Sequence, residues 1–231
     1  FIFLHLYKKI VMFPIKSGEN DFILSFPNKV IYNTYRSAGW LAHRNVFLFK
    51  KVILKDRMNL ALLRWLGKAK HLDMREQELF SWENDLRLIK SPGPDIKVGH
   101  FFASIANKFA MIASRDRAYL AWRYFACPTH KHMLYLLSNR KEVAGFMVLR
   151  VAKQQGLKIG YIVDILADPD KEGNFVFMLL KALKIFAEKG VDAVATLASH
   201  RSLQRALCNT GFFVDNPVDF LVYTKDNRVI E

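Results

Sequence analysis

One acid inside an apolar run, and the charged turn that follows it, are the residues of this chain best placed to do chemistry. The run from Lys158 to Ala167 reads KIGYIVDILA, and Asp164 is its only acid. Apolar neighbours desolvate a carboxylate, and desolvation favours its protonated form, which fits a group that must accept a proton. Asp164 is therefore the candidate general base. The alternative is a carboxylate at a sheet surface, bonded to a neighbouring strand or to Arg123. Downstream, Asp168-Pro169 breaks the run, and the turn Asp170 to Asn174 opens a helix expected to begin at Phe175. A strand passing through a short polar turn into a helix gathers N–H groups and the positive end of the helix dipole at one place. That place suits a phosphate, and Lys171 lies beside it in sequence. An ordinary strand-to-helix connection has the same spacing, so spacing does not choose between them.

The remaining reactive side chains point less far. His130 and His132 alternate as a metal pair would, but no third ligand stands near, and no metal site is expected. His200 lies near the end of an apolar strand, yet Ser199-His200 reads equally well as the start of the next helix. Cys127 and Cys208 are far apart and outside metal-ligand spacing, so no disulfide framework is expected. Cys208 reads as a buried structural thiol. Tyr119 and Trp122 share helical spacing with Ala118 and Phe125, which places them in the core.

The bulk composition narrows the classes. A chain of 231 residues with 52% hydrophobic and 13% aromatic content forms a packed core and is not a disordered tail. The net charge of +14 would suit an anionic partner. The basic residues are nevertheless spread along the chain, with no run interleaved with aromatics, so no nucleic acid is expected. Two distant cysteines fit a reducing cytoplasm. The opening FIFLHLYKKIVMFPIK is too short to span a bilayer and contains Lys8, Lys9 and Pro14. It lacks the layout of a signal peptide, and no transmembrane segment is expected. The missing initiator Met reads as the start of a fragment.

The elements that position Asp164 and the turn follow from periodicity. Asp85 to Lys90 alternates as a strand and is stopped by Ser91-Pro92-Gly93-Pro94. Helical spacing covers Val98 to Phe109 and Arg115 to Phe125, the second with Ser114 as its cap and Cys127-Pro128 as its stop. Strands follow at His132 to Leu137, Val143 to Val151 and Lys158 to Ala167. A helix then runs to Lys189-Gly190 and a strand covers Ala193 to Leu197. A short helix ending at Gly211-Phe212 precedes apolar hairpin strands at Val218 to Thr224. The order is strand, two helices, three strands, helix, strand, helix, two strands.

A faint repeat is superimposed on this order. Phe1-Ile2-Phe3-Leu4 parallels Phe175-Val176-Phe177-Met178, and Lys16, Gly18 and Asp21 parallel Lys189, Gly190 and Asp192. Each copy continues with an apolar strand (Phe22 to Phe26 in the first), a short helix ending at a glycine (Gly39 in the first) and a hairpin (Val46 to Leu54 in the first). Residues 56 to 84 read as a connector, with helical spacing over Met58 to Leu66.

This order of elements resembles the GNAT superfamily of N-acyltransferases, and particular residues carry the resemblance. Asp164-Ile165-Leu166-Ala167-Asp168-Pro169 looks like the family's fourth-strand signature. Gly173 falls where the first glycine of the pyrophosphate loop would sit. The segment Arg115 to Tyr124, with Pro128 after it, is similar to one in a tandem-module subgroup. The fold class this implies is α+β, a central mixed sheet with helices on both faces. Residues 85–231 would form a complete module, residues 1–55 the C-terminal half of a first module, and 56–84 the connector.

The resemblance also implies a function. Backbone groups of Ile165, Leu166 and Ala167 would hold the pantetheine arm of acetyl-CoA or another acyl-CoA where the fourth and fifth strands part. The helix N-terminus at Gly173, Asn174 and Phe175, with Lys171, would take the diphosphate. An amine, on a small molecule or a sugar, would attack the thioester directly with Asp164 as base.

Three positions depart from the family's pattern. Asp170 replaces a glutamine or arginine, Phe175 replaces a glycine or alanine, and Leu207 stands where the leaving-group acid, a tyrosine, is usual. In the first copy Asn28, Tyr35 and Gly39 keep the family's spacing, which makes Tyr35 a catalytic candidate there. A packed or exposed side chain is its alternative. The rival for the whole chain is a catalytically degenerate module that supports the first one.

Overall fold

The computed structural model describes residues 22–27, 29–53, 60–66, 85–109, 112–140 and 142–224. The expectations for Phe1 to Leu6, for Lys16, Gly18 and Asp21, for Asn28 and for most of the connector lie outside them. The chain forms two compact units, one of Phe1–Val46 with Pro217–Glu231 and one of Phe47–Asn216.

The larger unit is built on a mixed sheet. Its strands are the end of β2 (Leu41–Val52), β3 (Leu86–Ser91), β4 (His132–Asn139), β5 (Glu142–Gln154), β6 (Leu157–Ala167) and β7 (Ala193–Ala198), in the order β2-β7-β6-β5-β4-β3. All neighbours are antiparallel except β6 and β7, which run parallel because a helix connects them. Gln155 and Gly156, both at positive φ (51° and 81°), make the two-residue turn between β5 and β6. The centres of β4 and β5, Leu134 to Leu137 and Phe146 to Leu149, are buried on both faces, as expected of strands covered by helices on each side.

Helix α5 (Glu172–Glu188) covers one face. Phe175, Met178, Leu179, Ala182 and Phe186 fall on one side of it and pack with Ile162, Ile165 and Ala167 of β6. Phe186 sits so close over Gly160 that a Cβ there would lie 2.8 Å from its ring. The other face is covered by α3 (Ile96–Ile105) and α4 (Arg117–Leu120), whose Val98, Ile105, Leu120 and the following Tyr124 pack on Leu134, Phe146, Val148 and Leu166. The fold class expected from the sequence is the observed one.

Several boundaries need correction. Helix α5 starts at Glu172, so Gly173 and Asn174 belong to its first turn. Helix α3 is capped by Asp95, whose carboxylate accepts from Lys97 N–H at 2.9 Å, and it tightens into a 3₁₀ turn over Ala106–Lys108. The cap of α4 is Asp116 rather than Ser114, since its carboxylate accepts from Tyr119 N–H at 2.7 Å. A π turn follows over Ala121–Phe125, closed by Ala126 N–H on Ala121 O. Leu120 and Tyr124, four residues apart, are the buried pair, and Trp122 is 66% exposed, so Trp122 is not a core residue. Helix α2 (Leu60–Leu66), expected in the connector, packs Leu62 and Trp65 with Ile159 and Ala193.

The repeated segment appears as strand, helix, strand in both copies. These are β1 (Phe22–Ser25), α1 (Lys29–Ser37) and β2, then β7, α6 (Arg201–Asn209) and β8 (Phe213–Thr224). Both helices end alike. Gly39 and Gly211 have φ of 90° and 76°, and the next N–H groups, Trp40 and Phe212, reach back to Tyr35 O (3.1 Å) and Leu207 O (3.0 Å). The closing strands are single long strands and not local hairpins. β2 pairs with β7, and β8 pairs with β1, so each copy's last strand completes the first strand of the other. In the smaller unit, Trp40 and Leu221 are buried among Tyr32, Tyr35 and Tyr223.

Candidate functional site

The parallel ladder between β6 and β7 is short. It runs from Ile159–Ala193 to Ile162–Thr196 and stops, although β6 continues to Ala167 against β5 and β7 continues to Ala198 against β2. Thr196 Oγ1 donates to Ile162 O at 2.9 Å, marking the last joined position. Beyond it, backbone groups of β6 that point toward β7 have no ladder partner there, and polar backbone groups need one. Ile165, Leu166 and Ala167 lie in this stretch with their side chains buried in the two cores, so only their backbone is offered to the opening.

A bulge at Val163 decides where Asp164 points. Val148 pairs with Asp164, but the next residue of β5, Leu149, pairs with Ile162, which leaves Val163 as the extra residue. Gly160 and Ile162 face α5; strict alternation would place Asp164 there too. The bulge reverses the parity, and Asp164 comes out on the face of α4. Val163 itself is 38% exposed.

Two donors meet Asp164 on that face. Arg115 Nε and Tyr124 Oη both donate to Oδ2 at 2.8 Å. The partner is therefore Arg115, not Arg123. Burial disfavours the Arg115 charge, but the Asp164 carboxylate outweighs it and holds the guanidinium proton more tightly than usual. Burial first, and then the neighbouring carboxylate, push the Tyr124 phenol well above its ordinary range, so it remains a donor. Helical spacing over Arg115 to Phe125 offers two apolar faces, one with Tyr119 and Trp122 and the other with Leu120 and Tyr124, and the structure buries the second.

The turn before α5 is compact and charge-balanced. Lys171 N–H bonds to Asp168 O (3.0 Å) and Asn174 N–H to Lys171 O (2.9 Å), so Asn174 N–H is taken up by the turn itself. Lys171 is exposed at the helix N-cap. Phe175 is 2% exposed and packs in the core under α5. Asp168 and Asp170 both pair with Lys108 at 2.7 Å, and Glu172 pairs with Arg205 at 2.7 Å. Burial alone would raise Asp168, yet the hydrogen bond from Lys108 holds it below the usual carboxylate range. Ser202 Oγ donates to Pro169 O at 3.0 Å and ties α6 to the turn. Lys108 and Arg205 carry no sequence signal for this role, since both come from elsewhere in the chain.

The other candidates fall into place around these two features. Leu207 is fully buried in the core. Tyr35 lies in the smaller unit and packs edge-on against Trp40, ring centroids 4.9 Å apart. His200 caps α6, its Nδ1 accepting from Ser202 N–H at 3.3 Å. Burial pushes the Cys208 thiol up, as in a structural cysteine. Among the described residues no three His, Cys, Asp or Glu side chains gather as a metal site would require. No helix among them is long and apolar enough to cross a membrane.

No protein-family model and no curated protein matches the chain. Solved structures do. A GCN5-related N-acetyltransferase from Anabaena variabilis superposes with a TM-score of 0.57 at 11% identity over 93% of this chain and 48% of its own. A conserved protein from Enterococcus faecalis described as a probable N-acyltransferase gives 0.57 at 9% identity, over 97% and 50%. N-myristoyltransferase from Saccharomyces cerevisiae with bound myristoyl-CoA gives 0.50 at 12%, over 78% and 48%. The fold is therefore that of these acyltransferases, and the chain spans about half the length of each.

Proposed function

We propose that the chain belongs to an acyltransferase that moves an acyl group from acetyl-CoA, or another acyl-CoA, to an amine on a small molecule or sugar. The observation that carries this reading is the parting of β6 and β7 after Ile162–Thr196, beside an acid turned to the α4 face by the Val163 bulge, on a sheet of this fold. In this reading the backbone of Ile165, Leu166 and Ala167 binds the pantetheine arm. The first turn of α5, at Gly173, Asn174 and Phe175 with Lys171 beside it, receives the diphosphate. The acceptor amine attacks the thioester carbonyl, Asp164 Oδ1 takes its proton, the C–S bond breaks, and the thiolate takes a proton from water. Leu207 supplies no acid in this copy; in the first copy Tyr35 holds that place.

A second reading, a non-catalytic support module, is favoured by Leu207 and by the neutral turn, where Lys108 and Arg205 are already engaged. Calorimetric titration with acetyl-CoA separates the two. A saturable heat and a rise in melting temperature that grows with ligand concentration are expected of the enzyme. No stabilisation at millimolar acetyl-CoA overturns it.

A further inference from the structure

We propose that Arg115 and Tyr124 are positioning residues that clamp Asp164 by one oxygen, Oδ2, and so present the other, Oδ1, as the proton acceptor. The proposal rests on the acyl-transfer reading above and adds to it the device that holds the base.

Both donors lie 2.8 Å from the same oxygen. Among the described residues no donor reaches Oδ1. A carboxylate held by two fixed donors on one side has a single orientation, and hydrogen bonds to a charged group are the strong ones.

Each donor is itself fixed. Arg115 also donates through Nη1 to Ala113 O at 2.8 Å, and its guanidinium lies 5.0 Å from the centre of the Tyr119 ring. The Tyr124 ring is flanked by Tyr119 and His132, at 6.2 and 5.3 Å between centroids. His132 Nδ1 is 3.1 Å from Tyr124 O, which can only accept, so the imidazole donates there and holds the Tyr124 backbone. The π turn over Ala121–Phe125 adds a residue where a regular helix would have none, and such turns are frequent at functional sites. The bulge in β6 turns Asp164 to the same face. Two backbone irregularities, one in a helix and one in a strand, thus face each other, and their joint product is the Asp164–Tyr124 contact.

The test uses Tyr124→Phe, which keeps the ring in the core and deletes only the hydroxyl, and Asp164→Asn, singly and together. Turnover is followed as release of the CoA thiol from acetyl-CoA with the best acceptor of a panel of amino sugars and aliphatic amines. Tyr124→Phe should lower kcat about tenfold to a hundredfold, leave KM for acetyl-CoA unchanged, and have no further effect once Asp164 is Asn. Arg115→Lys should lower kcat less than Arg115→Gln. A loss that is undiminished in the Asp164→Asn background, or that appears in KM alone, overturns the clamp, as does an unchanged kcat. A wild-type chain that binds no acetyl-CoA and turns over with no amine overturns the acyl-transfer reading itself, and the clamp as a catalytic device goes with it.

Discussion

The middle of β6 and the turn that follows it both set carboxylates against cations, and they use that chemistry for different ends. In the middle of the strand, Asp164 and Arg115 keep 11% and 19% of their side-chain surface and sit between a bulge and a π turn. In the turn, Lys108 keeps 33% and serves two acids, Asp168 at 19% and Asp170 at 75%, so its more exposed half is the pair with Asp170. Water competes with the second pair and screens it, so it shapes the local field and contributes little to stability. It competes much less with the first. There a missing partner leaves a charge poorly solvated, which makes the pair costly to break and able to hold one geometry. Burial, more than the number of ion pairs, thus separates a carboxylate held in one orientation from a turn whose charge is merely balanced. The neutral turn also bears on ligand binding, because Asp168, Asp170 and Glu172 already answer the positive end of α5.

Substituting the buried acid should have the largest effect. Asp164→Asn is expected to lower acyl transfer by about 10²–10⁴-fold while leaving acetyl-CoA affinity nearly unchanged. Steady-state kinetics beside a binding isotherm would check this, and full activity would remove Asp164 from the chemistry.

The contrast itself is tested by cutting one cation from each region. Arg115→Gln should cost on the order of 2 kcal/mol, or about 5 °C in melting temperature, whereas Lys108→Gln should produce a clearly smaller shift by calorimetry. Equal shifts would mean that burial does not distinguish the two pairs.

The smallest expected effect is a pH dependence with one histidine in each region. Burial lowers the proton affinity of both His132, beside Tyr124, and His200, at the cap of α6. The unfolded chain then binds more protons than the folded one, so stability should fall as pH drops below the ordinary histidine value of 6.5 and level off under the folded values. Denaturant unfolding at pH 7 and pH 5 would show this, with a smaller drop for His132→Phe. A stability that rises on acidification through that window would contradict the assignment for both.

Much of the fold was legible because it is written in local chemistry. Alternation marked β3 to β5, an apolar run marked β6, and glycines 39, 190 and 211 marked helix ends, where the structure gives them left-handed φ. The two segments that look alike in sequence share a helix stop, at Gly39 and at Gly211, for the same reason. The candidate base was legible as an acid in an apolar strand. Its surroundings were not. Periodicity placed Trp122 in the core, and the structure buries Tyr124 there instead. The alternative for Asp164 was a bond to a neighbouring strand or to Arg123, and the observed partner is Arg115, 49 residues away and on a separate segment.

By itself, then, the sequence determined which segments are strands and helices, where most of them stop, and that one acid lies in a mostly buried strand. These depend on backbone preferences and on contacts within a few residues. Tertiary structure alone decided that Val163 is the extra residue, that Asp164 faces Arg115 and Tyr124, that Lys108 neutralises the turn, and that each copy's closing strand completes the other copy's. The physical reason is that a strand's parity and an ion pair's partner are settled by what packs against them, and segments far apart in the chain meet only when the sheet is assembled.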